Sequence, residues 1–241
     1  MGSPLKPTRR AFTALAGSAL ALAGGAPVRS ESLDDVDIQL ALAVDASGSV
    51  NARRFELQKQ GYVSAFRDPQ VLRAITSGML GSVAVTMYQW TGPRLQVITA
   101  PWTKIQDKAS CDRFADMLAA APRRLYGGGT SISGAIDFGV GVFKGSGFRS
   151  LRRVIDVSGD GVNSSGRSVS RARDEAVAAG VIINGLPILA LEFELDEHYQ
   201  TEVIGGPGSF IVPAKDFEAF ADAVRRKLIL EIAGAGFPAA G

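Results

Sequence analysis

Val36-Asp37-Ile38-Gln39-Leu40-Ala41-Leu42-Ala43-Val44-Asp45-Ala46-Ser47-Gly48-Ser49-Val50 is the stretch that decides the fold. Val36 to Val44 is a mostly apolar run that reads as a buried strand. It stops at Asp45, and two hydroxyls follow at alternate positions, Ser47 and Ser49. A carboxylate and two small hydroxyls on one tight loop make a hard-oxygen donor set. Such a set suits Mg²⁺, Mn²⁺ or Ca²⁺ rather than zinc. Gly48 is expected to let the backbone turn between the two serines. The same residues also suit a polar turn that caps the next helix, since Asp and Ser are favoured there. The stretch alone leaves both readings open.

The flanking segments alternate between strand and helix patterns. Asn51 to Phe66 carries Phe55, Tyr62, Val63 and Phe66 at helical spacing, with Lys59 a polar exception, and Asp68-Pro69 ends it. A short helical turn is expected over Gln70 to Ile75. Gly81 to Trp90 is rich in β-branched and aromatic residues and reads as a strand. Thr91-Gly92-Pro93 forms a hairpin-like turn into a strand from Arg94 to Ala100, closed by Pro101. Asp107 to Ala121 reads as a helix. Gly127-Gly128-Gly129-Thr130 then delivers hydroxyls to a helix over Ser131 to Phe143, with Thr130 or Ser131 as its N-cap. The glycines allow close backbone approach, but the Gly-Lys-Ser/Thr ending of a nucleotide loop is absent. Leu151 to Ser158 is a strand that again ends near an acid, Gly159-Asp160-Gly161. Asp156, inside that strand, either supports the site or faces solvent. Ser168 to Ala179 is a helix, Val181 to Leu189 a strand interrupted by Asn184-Gly185 and Pro187, and Val203 to Gly208 a loop. Phe210 to Val212 is a short last strand, and Phe217 to Ile232 an amphipathic closing helix.

Composition narrows the function classes. The chain has 241 residues, 46% hydrophobic and 21% charged, ordinary for a globular protein with a substantial core. A formal net charge of +2 and the lack of a basic stripe interleaved with aromatics argue against nucleic acid as a partner. The single cysteine, Cys111, excludes a disulfide within the chain and reads as a packed small residue. The single histidine, His198, lacks the neighbours of a zinc site or a Ser-His-Asp triad.

Residues 1 to about 30 read as an export signal. Thr8-Arg9-Arg10-Ala11-Phe12 precedes a short Ala/Leu/Gly run and small residues suited to cleavage after Ala23 or Ala26. The paired arginines resemble a twin-arginine address. Loss of Lys6, Arg9 and Arg10 would leave a nearly neutral chain. The apolar run is too short to be read as a transmembrane helix, so the mature chain is expected not to span a membrane. Residues 234–241 read as a disordered tail.

Strands that alternate with helices, several of them apolar throughout, predict a mainly parallel sheet covered on both faces. Ligands of such sheets bind outside the carboxyl ends of the strands. Asp45, Ser47, Ser49, Thr130 and Asp160 lie on three separate loops of that rim, and together they favour the metal reading.

The Asp-x-Ser-x-Ser loop, the Thr of a middle loop and the Asp-Gly pair after the fourth core strand resemble a von Willebrand factor type A domain. The resemblance covers about residues 35–233 and extends to a bacterial group of exported proteins with this single domain. Val181-Ile182-Ile183-Asn184-Gly185-Leu186-Pro187 and Val203-Ile204-Gly205-Gly206-Pro207-Gly208 are similar to segments of that group. Gly159 departs from the family, which often carries Thr there. The resemblance implies a doubly wound α/β sheet of about six strands with one antiparallel edge strand. It also implies a metal-ion-dependent adhesion site for Mg²⁺ or Mn²⁺. Ser47, Ser49 and Thr130 would ligate through hydroxyls, and Asp45 and Asp160 directly or through water. The expected function is a periplasmic or secreted binding module, not an enzyme, that captures an exposed Asp or Glu of a protein partner. Arg53, Arg124, Tyr126 and Asn163 are candidates for the partner-binding rim. The alternatives are a Mg²⁺-dependent hydrolase or phosphatase using Asp45, and a structural domain stiffened by its metal.

Overall fold

In the computed structural model, residues 33–234 are described, with the first two residues. The expected signal segment and tail lie largely outside the described residues. In chain order the elements are β1 (Asp34–Asp35), β2 (Ile38–Asp45), α1 (Ala52–Arg67), α2 (Pro69–Thr76), β3 (Val83–Trp90) and β4 (Gln96–Ile105). They continue with α3 (Lys108–Ala120), α4 (Ile132–Val142), β5 (Phe148–Arg149), β6 (Arg153–Gly159), α5 (Val169–Ala178) and β7 (Val181–Pro187). Last come α6 (Leu195–His198), which runs on as a π-turn over Tyr199–Val203, and α7 (Phe220–Ala233).

The main sheet has the order β4-β3-β2-β6-β7. β2 pairs parallel with β3 and β6, β6 pairs parallel with β7, and β4 is antiparallel to β3 at the edge. The strand order therefore reverses at β2, which has β3 on one side and β6 on the other. The crevice beyond the ends of β2 and β6 is the switch point where ligands of such sheets bind. The sixth strand expected over Phe210 to Val212 is reduced to single parallel bridges, Gly185 to Ile211 and Ile188 to Ala214, along the outer edge of β7.

Alternation along β2 sorts the two faces. Ile38, Leu40, Leu42 and Val44 enter one core with Phe55 and Phe66 of α1, Phe114 of α3 and Val224 of α7. Ala41 and Ala43 enter the other with Ile132 and Ile136 of α4, Ala172 of α5 and Tyr199. Burying each large side chain contributes roughly 1.5–3 kcal/mol. The small residues on the second face let α4 come close. A methyl built on Gly139 would lie 2.6 Å from both Ile155 Cδ1 and Tyr88 Oη, and the Tyr88 hydroxyl donates to Ala135 O at 2.8 Å.

Two sequence expectations are corrected here. β4 runs on through Pro101, which does not close it. Its register against β3 shifts beside that proline, and an edge strand with a bulge tolerates a residue that cannot donate. Gly48 is not among the glycines with positive φ, so the turn between the two serines does not require it. It packs against the glycine-rich loop instead, where an added methyl would lie 4.0 Å from Gly127 Cα.

Asp156 neither faces solvent nor joins the rim. It is fully buried and meets Lys227 of α7, whose Nζ lies 2.7 Å from Asp156 Oδ1 and 2.5 Å from Glu231 Oε1. Asn184 Nδ2 donates to the same Glu231 oxygen at 3.0 Å, and Asn184 Oδ1 accepts from Phe210 N at 2.9 Å. The asparagine that interrupts β7 thus ties α7 and the 210 segment to the sheet. One lysine serves two carboxylates. Burial, then the charge of Glu231, push the Asp156 carboxyl up to about 7 against the pull of Lys227.

Candidate metal centre

The end of β2 supplies the first loop. Asp45 is buried, and its Oδ1 accepts from Ser47 N at 2.7 Å. Val50 N donates to Ser47 O at 3.1 Å and closes the turn, and Asn51 then caps α1 by accepting from Arg54 N at 3.0 Å. The Ser47 and Ser49 hydroxyl oxygens are 3.1 Å apart. Ser49 Oγ donates across to Asp160 Oδ1 at 2.5 Å, so the loops after β2 and β6 are joined through the expected donors themselves.

The second loop, rich in glycine, reaches the same lip. Gly127, Gly128 and Gly129 all have positive φ, a backbone that only glycine adopts without strain. Ser131, not Thr130, caps α4, accepting from Gly134 N at 3.1 Å. The Thr130 carbonyl is held by Ser164 N at 2.9 Å and Ser165 N at 3.1 Å, in the loop that follows Asp160. A methyl built on Gly161 would lie 3.9 Å from Thr130 Cγ2 and 3.7 Å from Glu192 Oε1.

The electrostatics suit a cation. Asp45 Oδ2 and Asp160 Oδ2 are both buried without a hydrogen-bond partner among the described residues. Burial, reinforced by the charge of Asp160, pushes the Asp45 carboxyl up to about 7. Asp160 is also raised by burial, which outweighs the Ser49 hydroxyl and the Arg54 guanidinium. Arg54 Nη1 is 3.7 Å from Asp160 Oδ2, a loose contact, and donates to Ser49 O at 2.7 Å. Two buried carboxylates with spare lone pairs, separated by hydroxyls, fit a hard divalent cation. No group of three or more His, Cys, Asp or Glu side chains placed to hold a metal ion is found among the described residues.

The rim candidates divide. Arg53 is largely exposed and paired with Glu218 at 3.0 Å. Arg124 is exposed, and its backbone N donates to Gln89 Oε1 at 2.7 Å. Tyr126 is 73% exposed, with its hydroxyl donating to Arg123 O at 3.1 Å. Asn163 turns inward: its Oδ1 accepts from Ser133 N at 3.0 Å and its Nδ2 donates to Arg167 O at 3.1 Å. Sequence reasoning missed Arg123, whose Nη2 donates to Ala46 O at 2.9 Å and Ser47 O at 3.2 Å while its plane covers the Tyr126 ring. It clamps the first loop to the glycine-rich segment. It also missed the segment after β7, where Glu192, the 91% exposed Phe193, Glu194, Glu197 and His198 line an open hollow with Val162 of the third loop. The repeated acid-apolar alternation from Leu191 to Leu195 was the available signal.

The switch-point site, the single antiparallel edge strand and helices on both faces define a von Willebrand factor type A fold. Solved structures share it. Proximal thread matrix protein 1 from the mussel byssus, with a zinc-occupied MIDAS motif, superposes with a TM-score of 0.60 at 14% identity, over 83% of this chain and 47% of that one. A von Willebrand factor type A protein from Catenulispora acidiphila gives 0.55 at 12% identity, over 83% and 43%. The vWF domain of the type V pili tip protein Mfa5 from Porphyromonas gingivalis gives 0.52 at 9% identity, over 82% and 96%. The chain spans about half the length of the mussel protein. No curated protein matches it in sequence. Residues 35–236 match the DUF1194 profile, and the chain belongs to that family of proteins of unknown function.

Proposed function

We propose that this chain is an exported binding module that captures an acidic side chain of a protein partner through a bound divalent cation. The observation that carries the reading is the pair of buried, unpartnered oxygens, Asp45 Oδ2 and Asp160 Oδ2, with the Ser47 and Ser49 hydroxyls between their loops. Ser47, Ser49, Thr130, Asp45 and Asp160 would hold Mg²⁺ or Mn²⁺. When bound, the cation supplies a hard acceptor site that a carboxylate of the partner can complete in place of a water. The protein's own residues do the rest. Ser49 gives up its hydrogen bond to Asp160 and frees both oxygens, and Arg123 and Arg54 keep the first loop in place through its carbonyls.

The surface around the site is of two kinds. Arg53 and Arg124 lie on exposed segments near the first and second loops, and Glu192, Phe193, Glu194 and Glu197 lie beside the third. A partner would meet the metal with its Asp or Glu and turn basic and apolar neighbours toward the acidic, aromatic side. The mussel structure with a metal-occupied motif and the pilus-tip domain support a binding role by analogy. Among the described residues no helix is long and apolar enough to cross a membrane. The Thr8–Phe12 segment supports export through a twin-arginine route, to the periplasm or beyond.

The test is capture of exported proteins by the immobilised chain in Mg²⁺ or Mn²⁺, against chelator and against Asp45→Ala. A partner retained by wild type with metal and lost in both controls is the expected result. Equal retention in chelator refutes metal bridging. Phosphoester turnover that requires Asp45 would move the assignment to the hydrolase alternative.

A further inference from the structure

Behind the metal loops lie three unpartnered polar atoms. Asp45 Oδ2, Tyr199 Oη and Trp90 Nε1 are each buried and without a hydrogen-bond partner among the described residues. The first two and the indole ring that carries the third border one point. A methyl built on Gly159 would lie 3.0 Å from Asp45 Oδ2, 3.0 Å from Tyr199 Oη and 3.1 Å from Trp90 Cζ2. The acceptor and the phenol are therefore at most about 6 Å apart, not hydrogen-bonded to each other but within reach through one water. The indole is fixed there because Trp90 is the registered neighbour of Asp45 across β2 and β3. The phenol arrives from the first residue of the π-turn after α6, a widened turn of a kind often found at functional sites. Two donors lack an acceptor, and one acceptor lacks a donor. A buried polar group in that state is costly, and a water held by two to four such partners relieves it.

We propose that Tyr199 and Trp90 form a donor pair that holds Asp45 from behind through a bridging water, with Tyr199 as the positioning residue for the metal site. The proposal rests on the metal-binding reading above for its effect on affinity, but not for the water-bridged link itself. Gly159 is the enabling residue. Its backbone is not in the left-handed region, so a side chain is excluded there by the close approach of Asp45, the phenol and the indole alone. A residue with a hydroxyl at 159 would supply the same donor from the sheet. This chain supplies it from the α6 side. The two donors orient one carboxylate oxygen and leave the other to the Ser47 backbone, which fixes the plane of Asp45 before any cation arrives.

The experiment uses the full-length chain with Trp102→Phe, which leaves Trp90 as the one tryptophan. In ¹⁵N-labelled, metal-free protein the single indole N–H resonance is followed in Tyr199→Phe and in Asp45→Asn. The resonance is expected to move in both. An indole resonance indifferent to both changes overturns the pair. Mn²⁺ is then titrated calorimetrically. Tyr199→Phe is expected to weaken binding about tenfold or more, as loss of an outer-shell partner does. Gly159→Ser alone is also expected to weaken it, by crowding the phenol, whereas Gly159→Ser in the Tyr199→Phe background recovers part of the loss. A merely structural role for Tyr199 predicts no such rescue, and its absence overturns the positioning role. If the wild type binds no Mn²⁺ while the indole still responds, the metal reading falls and the donor pair stands.

Discussion

Replacing Lys227 by Met tests the buried charge cluster that fastens the closing helix. The lysine is inaccessible to solvent and sits 2.7 Å from Asp156 Oδ1 and 2.5 Å from Glu231 Oε1. At an effective dielectric of about 20, a unit pair 2.7 Å apart attracts by about 6 kcal/mol before desolvation is counted. Methionine keeps the volume and removes the charge. Two carboxylates then remain buried, Glu231 with Asn184 as its donor and Asp156 with no hydrogen-bond donor among the described residues. Breaking a buried pair from one side costs about 3–5 kcal/mol, a large part of a total stability of about 5–15 kcal/mol. The cost must depend on pH. Asp156 already has a folded pKa above its unfolded one, and loss of the lysine raises it further, so the folded state holds a proton that the unfolded state has released. Its stability falls as pH rises. Urea unfolding at pH 5 and pH 8 measures this, and the midpoint is expected to drop by more than about 1 M at pH 8 and by less at pH 5. Adding Asp156→Asn and Glu231→Gln is expected to restore most of the loss. A loss under about 1 kcal/mol at pH 8, or the same loss at both pH values, would show that the lysine does not hold the two carboxylates together.

Asp156→Asn alone removes the group whose carboxyl is raised to about 7. The wild type should lose stability as pH rises from about 4 to about 7, at up to about 1.4 kcal/mol per unit, and the variant should lose that slope in the same urea series. Gly139→Val forces a branched side chain into a position where even a methyl lies 2.6 Å from Ile155 Cδ1 and Tyr88 Oη. Overpacking of this kind costs about 1–3 kcal/mol, read as a fall in Tm of several degrees, and an unchanged Tm would contradict the close approach of α4. Ser49→Ala removes a candidate ligand and the bridge to Asp160, and should weaken Mn²⁺ binding at least about tenfold in calorimetry while the chain stays folded by circular dichroism.

What the sequence disclosed and what it hid follow from the range of the interactions. Asp45, Ser47, Ser49 and Asp160 were visible because each directly follows an apolar strand, and a parallel sheet sends all such loops to one rim. The Ser49 hydroxyl donates to Asp160, so the loops after β2 and β6 meet. The two faces of β2 were written in its own alternation of large and small residues. Asp156 was ambiguous because its partner, Lys227, is far along the chain on α7, and a buried charge has no local pattern of its own. Tyr199 was missed for the same reason: its neighbours Asp45 and Gly159 belong to other strands, and α6 with its π-turn is too short for a helical period to show. Asn163 reads as a surface polar residue until its cap on Ser133 N, across two loops, is seen.

Metal binding at Asp45 is read most directly by calorimetric titration of Mg²⁺ and Mn²⁺ into the full-length chain beside Asp45→Ala. One binding event is expected in the wild type and none in the folded variant. A folded wild type that takes up neither ion, or a variant that binds as well as the wild type, would contradict it.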